Sequence, residues 1–126
     1  MIFIDRSMTK PIALALQHVR KDVIWLEDRF PHDTPDVTWL RAAGEEDWLV
    51  ITRDKGIRHK PAEIRMVREA SVGYFTVGEK NDLSRWNLLR IVVTNLEHMI
   101  TLHSAVPKPF IYLIDAYGRF NTVPLT

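Results

Sequence analysis

Asp5, Asp36 and Asp54 are the residues of this 126-residue chain whose type and placement best suit shared chemistry. Carboxylates brought close together repel, and one of them takes up a proton unless a cation bridges them. A divalent metal is the usual resolution. Mg²⁺ prefers hard oxygen ligands, keeps several waters, and is commonly held by one or two carboxylates plus substrate phosphate. Such an ion polarises a phosphoryl oxygen and lowers the pKa of bound water, which is the chemistry of phosphodiester hydrolysis. Basic residues flank the third acid: Arg53, Lys55, Arg58, His59 and Lys60 are suited to hold a nucleic-acid backbone and to offset the acids' repulsion of phosphate. Each acid also has a plain structural explanation. Asp5 can end a strand, Asp36 can favour a helix start, and Asp54 before Lys55-Gly56 resembles a turn.

The elements that must position these residues follow from the apolar pattern. Ile2-Phe3-Ile4 is a short β-prone run ending at Asp5, and Thr9-Lys10-Pro11 opens a helix with Ile12, Ala15, Leu16 and Val19 on one face. Val23 to Leu26 reads as a buried strand, and the proline- and acid-containing stretch from Glu27 to Pro35 as a loop. Asp36 lies in the first turn of a second helix that turns Val37, Leu40 and Ala43/Gly44 inward. A third strand, Trp48 to Thr52, delivers Asp54 just past its carboxyl end. Pro61 starts a helix carrying Ile64, Val67 and Ala70, and Gly73 to Gly78 is a fourth strand. A long helix from about Leu83 to about Leu102, with Ser84 as its cap, shows a stripe of Leu89, Val92, Val93, Leu96 and Ile100. Phe110 to Ile114 and Phe120 to Val123 close as an antiparallel hairpin around Tyr117-Gly118. Alternating strands and helices imply a three-layer α/β/α sandwich with a mainly parallel central sheet, right-handed crossovers and a C-terminal hairpin. Ligands in such sheets bind outside the carboxyl ends of the strands, the edge that receives Asp5 and Asp54.

Composition narrows the field further. A chain of this length, 46% hydrophobic, supports one core, so one domain is expected over residues 1–126. It has no cysteine, which excludes disulfides and thiolate-bound zinc, and its five histidines are too scattered to replace them. There is no apolar run long enough for a bilayer, and a charge at position 5 comes too early for a signal peptide, so a cytoplasmic protein without membrane contact is expected. Net charge is only +1, so affinity for nucleic acid must come from a local patch. Residues 27–36 hold four acids against one Arg, and residues 53–68 hold six Lys/Arg against two acids, so the charge needed is segregated along the chain. The four tryptophans, Trp25, Trp39, Trp48 and Trp86, fall within expected elements and read as core rather than as platforms for bases.

The stretch DVTWLRAAGEEDWLVITRD, Asp36 to Asp54, is similar to the PIN-domain pattern in which an Asp opens a helix, an Ala/Gly pair ends it, and an apolar strand runs into T-R-D. Asp5 matches that family's first acid. More closely, FIDRS, LEDRFPHDTPD, VITRDKGIRHKPAE and PFIYLI resemble the VapC-type toxin subgroup of PIN-like proteins, in order and over nearly the whole chain. The resemblance implies a PIN-like fold, Mg²⁺ or Mn²⁺ as cofactor, endoribonuclease activity on an RNA substrate with Asp5, Asp36 and Asp54 as catalytic metal ligands, and inhibition by a cognate antitoxin protein. A homodimer is one assembly to expect. The chain departs from the family pattern in lacking an obvious middle-helix Glu and an acid shortly after Asp54. Asp28, Asp33 and Glu63 are the candidates for the missing ligand.

Two rival readings stand beside the nuclease. One keeps the PIN-like fold as a catalytically inactive RNA- or protein-binding module. The other is a phosphoreceiver domain, also a small parallel α/β fold with an acidic site at the strand ends. A receiver wants an acidic pair after its first strand, where this chain has Asp5-Arg6, and a lysine after its fifth, whereas Lys108 precedes Phe110.

Overall fold

The computed structural model describes residues 1–54, 56–78 and 83–126. Six strands form one sheet: β1 (Ile2–Ile4), β2 (Val23–Trp25), β3 (Leu49–Thr52), β4 (Gly73–Val77), β5 (Phe110–Ile114) and β6 (Phe120–Thr122), in the spatial order β2-β1-β3-β4-β5-β6. All neighbours pair in parallel except the β5–β6 hairpin. The helices are α1 (Lys10–Val19), α2 (Leu26–Arg29), α3 (Asp36–Glu45), α4 (Pro61–Ala70) and α5 (Arg85–Ala105). This is the α/β/α sandwich with a mainly parallel sheet and terminal hairpin that the sequence pattern predicts.

Strand side chains alternate between the two faces, and the core divides accordingly. Ile2 and Ile4 point to one face, where α1 and α5 bring Ile12, Leu16, Leu88, Ile91, Val92, Leu96 and Met99. Phe3 points to the other, among Trp39, Leu40 and Ala43 of α3 and Ile64 and Val67 of α4. Phe3 stacks on Trp48 at 5.3 Å between ring centroids and lies 5.1 Å from Trp39, so β1 is clamped to the α3 layer by aromatic area. With α1 and α5 on one face and β1→β2 running opposite to β4→β5 across the sheet, those two crossovers have opposite hands. The crossovers through α3 and α4 share the hand of α1, so the expectation of uniform handedness fails at α5.

Local expectations are corrected in four places. Leu26, expected as the last strand residue, and residues 27–29, expected as loop, form α2, because Leu26 is buried and the Asp28 carboxylate accepts from the Trp25 N–H at 3.0 Å across the helix start. In α1 the buried set is Ile12, Ala13 and Leu16, with Val19 exposed in the last turn. The α5 stripe is rotated by about one residue: Leu88, Ile91, Val92, Leu96 and Met99 are buried and Val93 is exposed. Apolar residues come in adjacent pairs along this helix, so periodicity alone does not choose between two overlapping stripes. Trp86 is 73% exposed in the first turn of α5, unlike the other three tryptophans. The Ser84 cap is present, its hydroxyl accepting from the Asn87 N–H at 3.1 Å.

Near its end α3 passes so close to α4 that there is no room for a side chain. A Cβ built on Gly44 would lie 2.7 Å from the Ala70 Cβ and closer still to the Ala70 carbonyl oxygen, which is backbone and cannot step aside. Gly44→Ala is therefore expected to destabilise the fold by about 1–3 kcal/mol through overpacking. In an unobstructed helix the same change stabilises by roughly 0.5–1 kcal/mol. Urea unfolding of the variant decides between the two signs.

Candidate active site at the carboxyl edge of the sheet

The sheet order places β1 between β2 and β3: the chain leaves β1 for β2 on one side and then crosses back over β1 to form β3 on the other. This is the point where strand order reverses, and the crevice outside it is where open α/β sheets bind ligands. Asp5 follows β1 and Asp54 follows β3, so both acids emerge there. Asp36 reaches the same edge because α3 runs back from it toward the start of β3. All three carboxylates act on the buried Tyr74 hydroxyl, whose pKa is raised first by burial and then by Asp5, Asp54 and Asp36.

Asp5 is only 5% exposed. Its Oδ1 accepts from the Ser7 backbone N–H at 3.2 Å and from the Ser7 hydroxyl, the local turn that short polar side chains favour. The Ser7 hydroxyl oxygen in turn accepts from the Arg53 N–H at 2.8 Å, tying the end of β1 to the end of β3. Burial pushes the Asp5 carboxyl up to about 7; the Asp36 charge adds to the rise, and the Ser7 hydrogen bonds oppose it.

Asp36 accepts at Oδ1 from Arg6 Nη1 at 2.9 Å and from the Trp39 indole N–H at 3.1 Å. Arg6 is itself anchored, donating from Nε to the His32 carbonyl at 3.0 Å and from Nη2 to the Thr34 carbonyl. Asp54 is held differently. Its N–H donates to Thr76 Oγ1 at 2.8 Å and that hydroxyl donates back to the Asp54 carbonyl at 3.1 Å, which fixes the backbone against β4. Its carboxylate accepts from the Gly56 N–H at 3.0 Å and from Lys60 Nζ at 2.8 Å.

The remaining expected residues are placed as follows. Asp28 is engaged by Gln17 Nε2 at 2.8 Å and by the Trp25 N–H, so its carboxylate caps α2. Asp33 is exposed in the loop before α3. Glu63 lies in the first turn of α4, near enough to Lys60 to raise its pKa, an effect led by the Asp54 hydrogen bond. Arg53 is half-buried, and Arg58 and His59 are exposed on a 3-10 turn pinned by the fully buried Ile57. Lys55 lies outside the described residues. Lys108 sits at the opposite edge, donating to the His103 carbonyl at 2.8 Å, so no receiver-type lysine reaches the acids from β5. Arg6, Ser7, Trp39 and Thr76 are the supporting residues that sequence reasoning missed. Ser7, two residues after an Asp, carries a local signal, whereas Thr76 is joined to Asp54 only by sheet register.

The donors fit a hard divalent cation in kind, being carboxylate oxygens at a ligand-binding edge, one of them buried and repelled by its neighbour. They do not form a closed cage: among the described residues no group of three or more His, Asp or Glu is arranged to hold a metal. The arrangement suits an ion that takes one or two protein carboxylates and completes its shell with water and phosphate.

The raised pKa of Asp5 has a defined sign for stability. The folded state favours the neutral carboxyl, so the stabilisation is full below pH about 4 and is lost as pH rises through about 7. Without divalent metal, Asp5→Asn should remove this decline and make the protein more stable than wild type at pH 8, by up to a few kcal/mol. Thermal melts of both proteins from pH 5 to 8 check it; a variant less stable than wild type at pH 8 contradicts it.

Comparison with known proteins agrees with this geometry. The sequence matches the family described as a PIN-like domain over residues 1–79, a span that carries β1 to β4 and all three aspartates. No match was found among curated proteins or among solved structures. Among the described residues no helix is long and apolar enough to cross a membrane. A match over well more than half of the chain, on a sheet that brings its acids to one edge, makes this protein a member of the PIN-like domain family.

Proposed function

We propose that this protein is a divalent-metal-dependent endoribonuclease of the toxin type, with Asp5 and Asp36 as the core of the metal site and Asp54 completing it. PIN-like domains are commonly nucleases, and the observation that carries the reading here is Asp5 itself. It is a nearly fully buried carboxyl at the strand-order reversal, facing a second carboxylate, while the nearby guanidinium is committed to Asp36. Such a group costs stability as an anion and is what a cation at that edge would relieve.

In this reading Mg²⁺ or Mn²⁺ supplies charge stabilisation on a phosphoryl oxygen and a more acidic bound water. The chain's own residues do the positioning. Ser7 holds the Asp5 carboxylate by two donors on one oxygen, so Asp5 would bind the ion through the other. Arg6, locked by two carbonyls, sets the Asp36 carboxylate and lends positive charge to the edge. Arg58 and His59, exposed beside Asp54, draw the RNA backbone in, and Ile57 holds their turn in place. The VapC-like segments support a cognate antitoxin as partner, and an inhibitor carrying a cation would suit this acidic edge.

Purified protein should cleave RNA in Mg²⁺ or Mn²⁺ and lose activity in EDTA. Asp5→Asn should lower cleavage by at least about 10–100-fold, the loss that even outer partners of a metal site produce. Because the same variant is expected to be the more stable one at pH 8, lost activity cannot be ascribed to unfolding. Activity undiminished in chelator or in Asp5→Asn overturns the assignment. The toxin role has its own test: induced expression should slow growth and Asp5→Asn should abolish the effect, whereas harmless overproduction of an active enzyme indicates a housekeeping nuclease.

A second reading, a binding module that no longer cleaves, is favoured by the cations on Asp36 and Asp54 and by the lack, among the described residues, of three acids arranged to hold a metal. RNA binding without metal-dependent cleavage under the same conditions would select it.

A further inference from the structure

Two of the cations that meet the acidic edge, Arg6 and Lys60, are built differently. Arg6 is held at three points, by the His32 carbonyl, the Thr34 carbonyl and Asp36, and its fork matches them. Lys60 Nζ meets Asp54 Oδ2 at 2.8 Å from a side chain that is 43% exposed, at the joint between the 3-10 turn Ile57–His59 and α4. The Asp54 carboxylate it meets is only 14% exposed, and its other oxygen is already committed to the Gly56 N–H. Lys60 therefore covers the Asp54 oxygen that the Gly56 N–H leaves open, the readier of the two to reach an ion. Its flexible stem and compact charge let it leave without disturbing the backbone, which Arg6 cannot do.

From this contrast we infer that Lys60 is an exchangeable counter-ion of the site: it occupies Asp54 in the metal-free protein, yields that carboxylate to a divalent cation, and passes its own charge to an RNA phosphate. The inference rests on the metal-dependent reading above. It makes Lys60 a positioning residue that couples metal entry to substrate binding. Filling the site turns a neutralised Lys–Asp pair into a free ammonium beside Arg58, at the edge the RNA backbone must cross. Glu63, whose charge also acts on Lys60, lies within electrostatic reach of the vacated position and keeps the ammonium near the edge.

The test is Mn²⁺ affinity, read by calorimetry on wild type, Lys60→Met and Lys60→Arg at pH 8, with thermal melts confirming that all three fold. Lys60→Met should bind Mn²⁺ roughly three- to fivefold more tightly than wild type, the scale set by a half-exposed ion pair, and Lys60→Arg should stay at or below wild type. A non-cleavable 2′-O-methyl oligonucleotide gives the second arm. In Mn²⁺, Lys60→Met should bind it more weakly, with a salt slope lower by about 0.7; in EDTA the slopes should match, because the paired Lys60 reaches no phosphate, and any loss of affinity there comes from the uncovered Asp54 charge. Equal or weaker Mn²⁺ binding by Lys60→Met, when wild type binds the ion, overturns the exchange and leaves the metal site standing. Failure of both proteins to bind Mn²⁺ overturns the metal site and the exchange with it. Binding by the variant alone supports the exchange in its strongest form.

Discussion

The parallel pairing of β1 with β3 is the constraint on which the rest depends. Ile2, Phe3 and Ile4 register against Leu49, Val50 and Ile51, and the ladder runs on to the Asp5 N–H, which donates to the Ile51 carbonyl at 3.4 Å. Two strands from distant parts of the chain thus end together, and Asp5, one residue past β1, and Asp54, two residues past β3, are brought to the same crevice. Because side-chain direction alternates along a strand, a slip of one residue would reverse every side chain of β1 between the two cores. The aromatic packing of Phe3 against Trp39 and Trp48 opposes such a slip. The apolar core therefore sets where the acids stand.

What the core imposes, the polar residues at the edge must make tolerable. A carboxyl as buried as Asp5 is costly as an anion, and the fold meets that cost in part through Ser7 and in part by protonation. Asp36 and Asp54 are neutralised by cations of the chain, one anchored at three points and one reaching in from a half-exposed side chain. The result is an edge that is stable without a ligand yet holds carboxylate oxygens a divalent cation can use. The same ion pairs that argue for a silent module thus also describe a nuclease at rest, and metal affinity separates the two.

Much of this was legible in the residues. The run Ile2-Phe3-Ile4-Asp5 and the run Leu49 to Asp54 read as strands ending in acids, and alternation with helices gave the parallel sheet and its ligand-binding edge. Ala43/Gly44 was legible only as an inward-facing pair closing α3, and its steric reason, the close approach of Gly44 to Ala70 of α4, exists only in three dimensions. The register of the α5 stripe was not readable, because adjacent apolar pairs satisfy two helical faces and only the sheet beneath selects one. Nor were the partners of the acids. Arg6 is next to Asp5 in sequence but serves Asp36, thirty residues away, because the turn after β1 directs its guanidinium across the crevice. Thr76 reaches Asp54 through the β3–β4 register, which no local pattern encodes.

The central claim, that Asp5 and Asp36 share a cation at the carboxyl edge of the sheet, is tested most directly by anomalous diffraction from crystals soaked in Mn²⁺. One peak is expected at coordination distance, roughly 2.1 Å, from oxygens of both carboxylates. No ordered ion at millimolar Mn²⁺, or a peak bound only away from Asp5, would contradict the account.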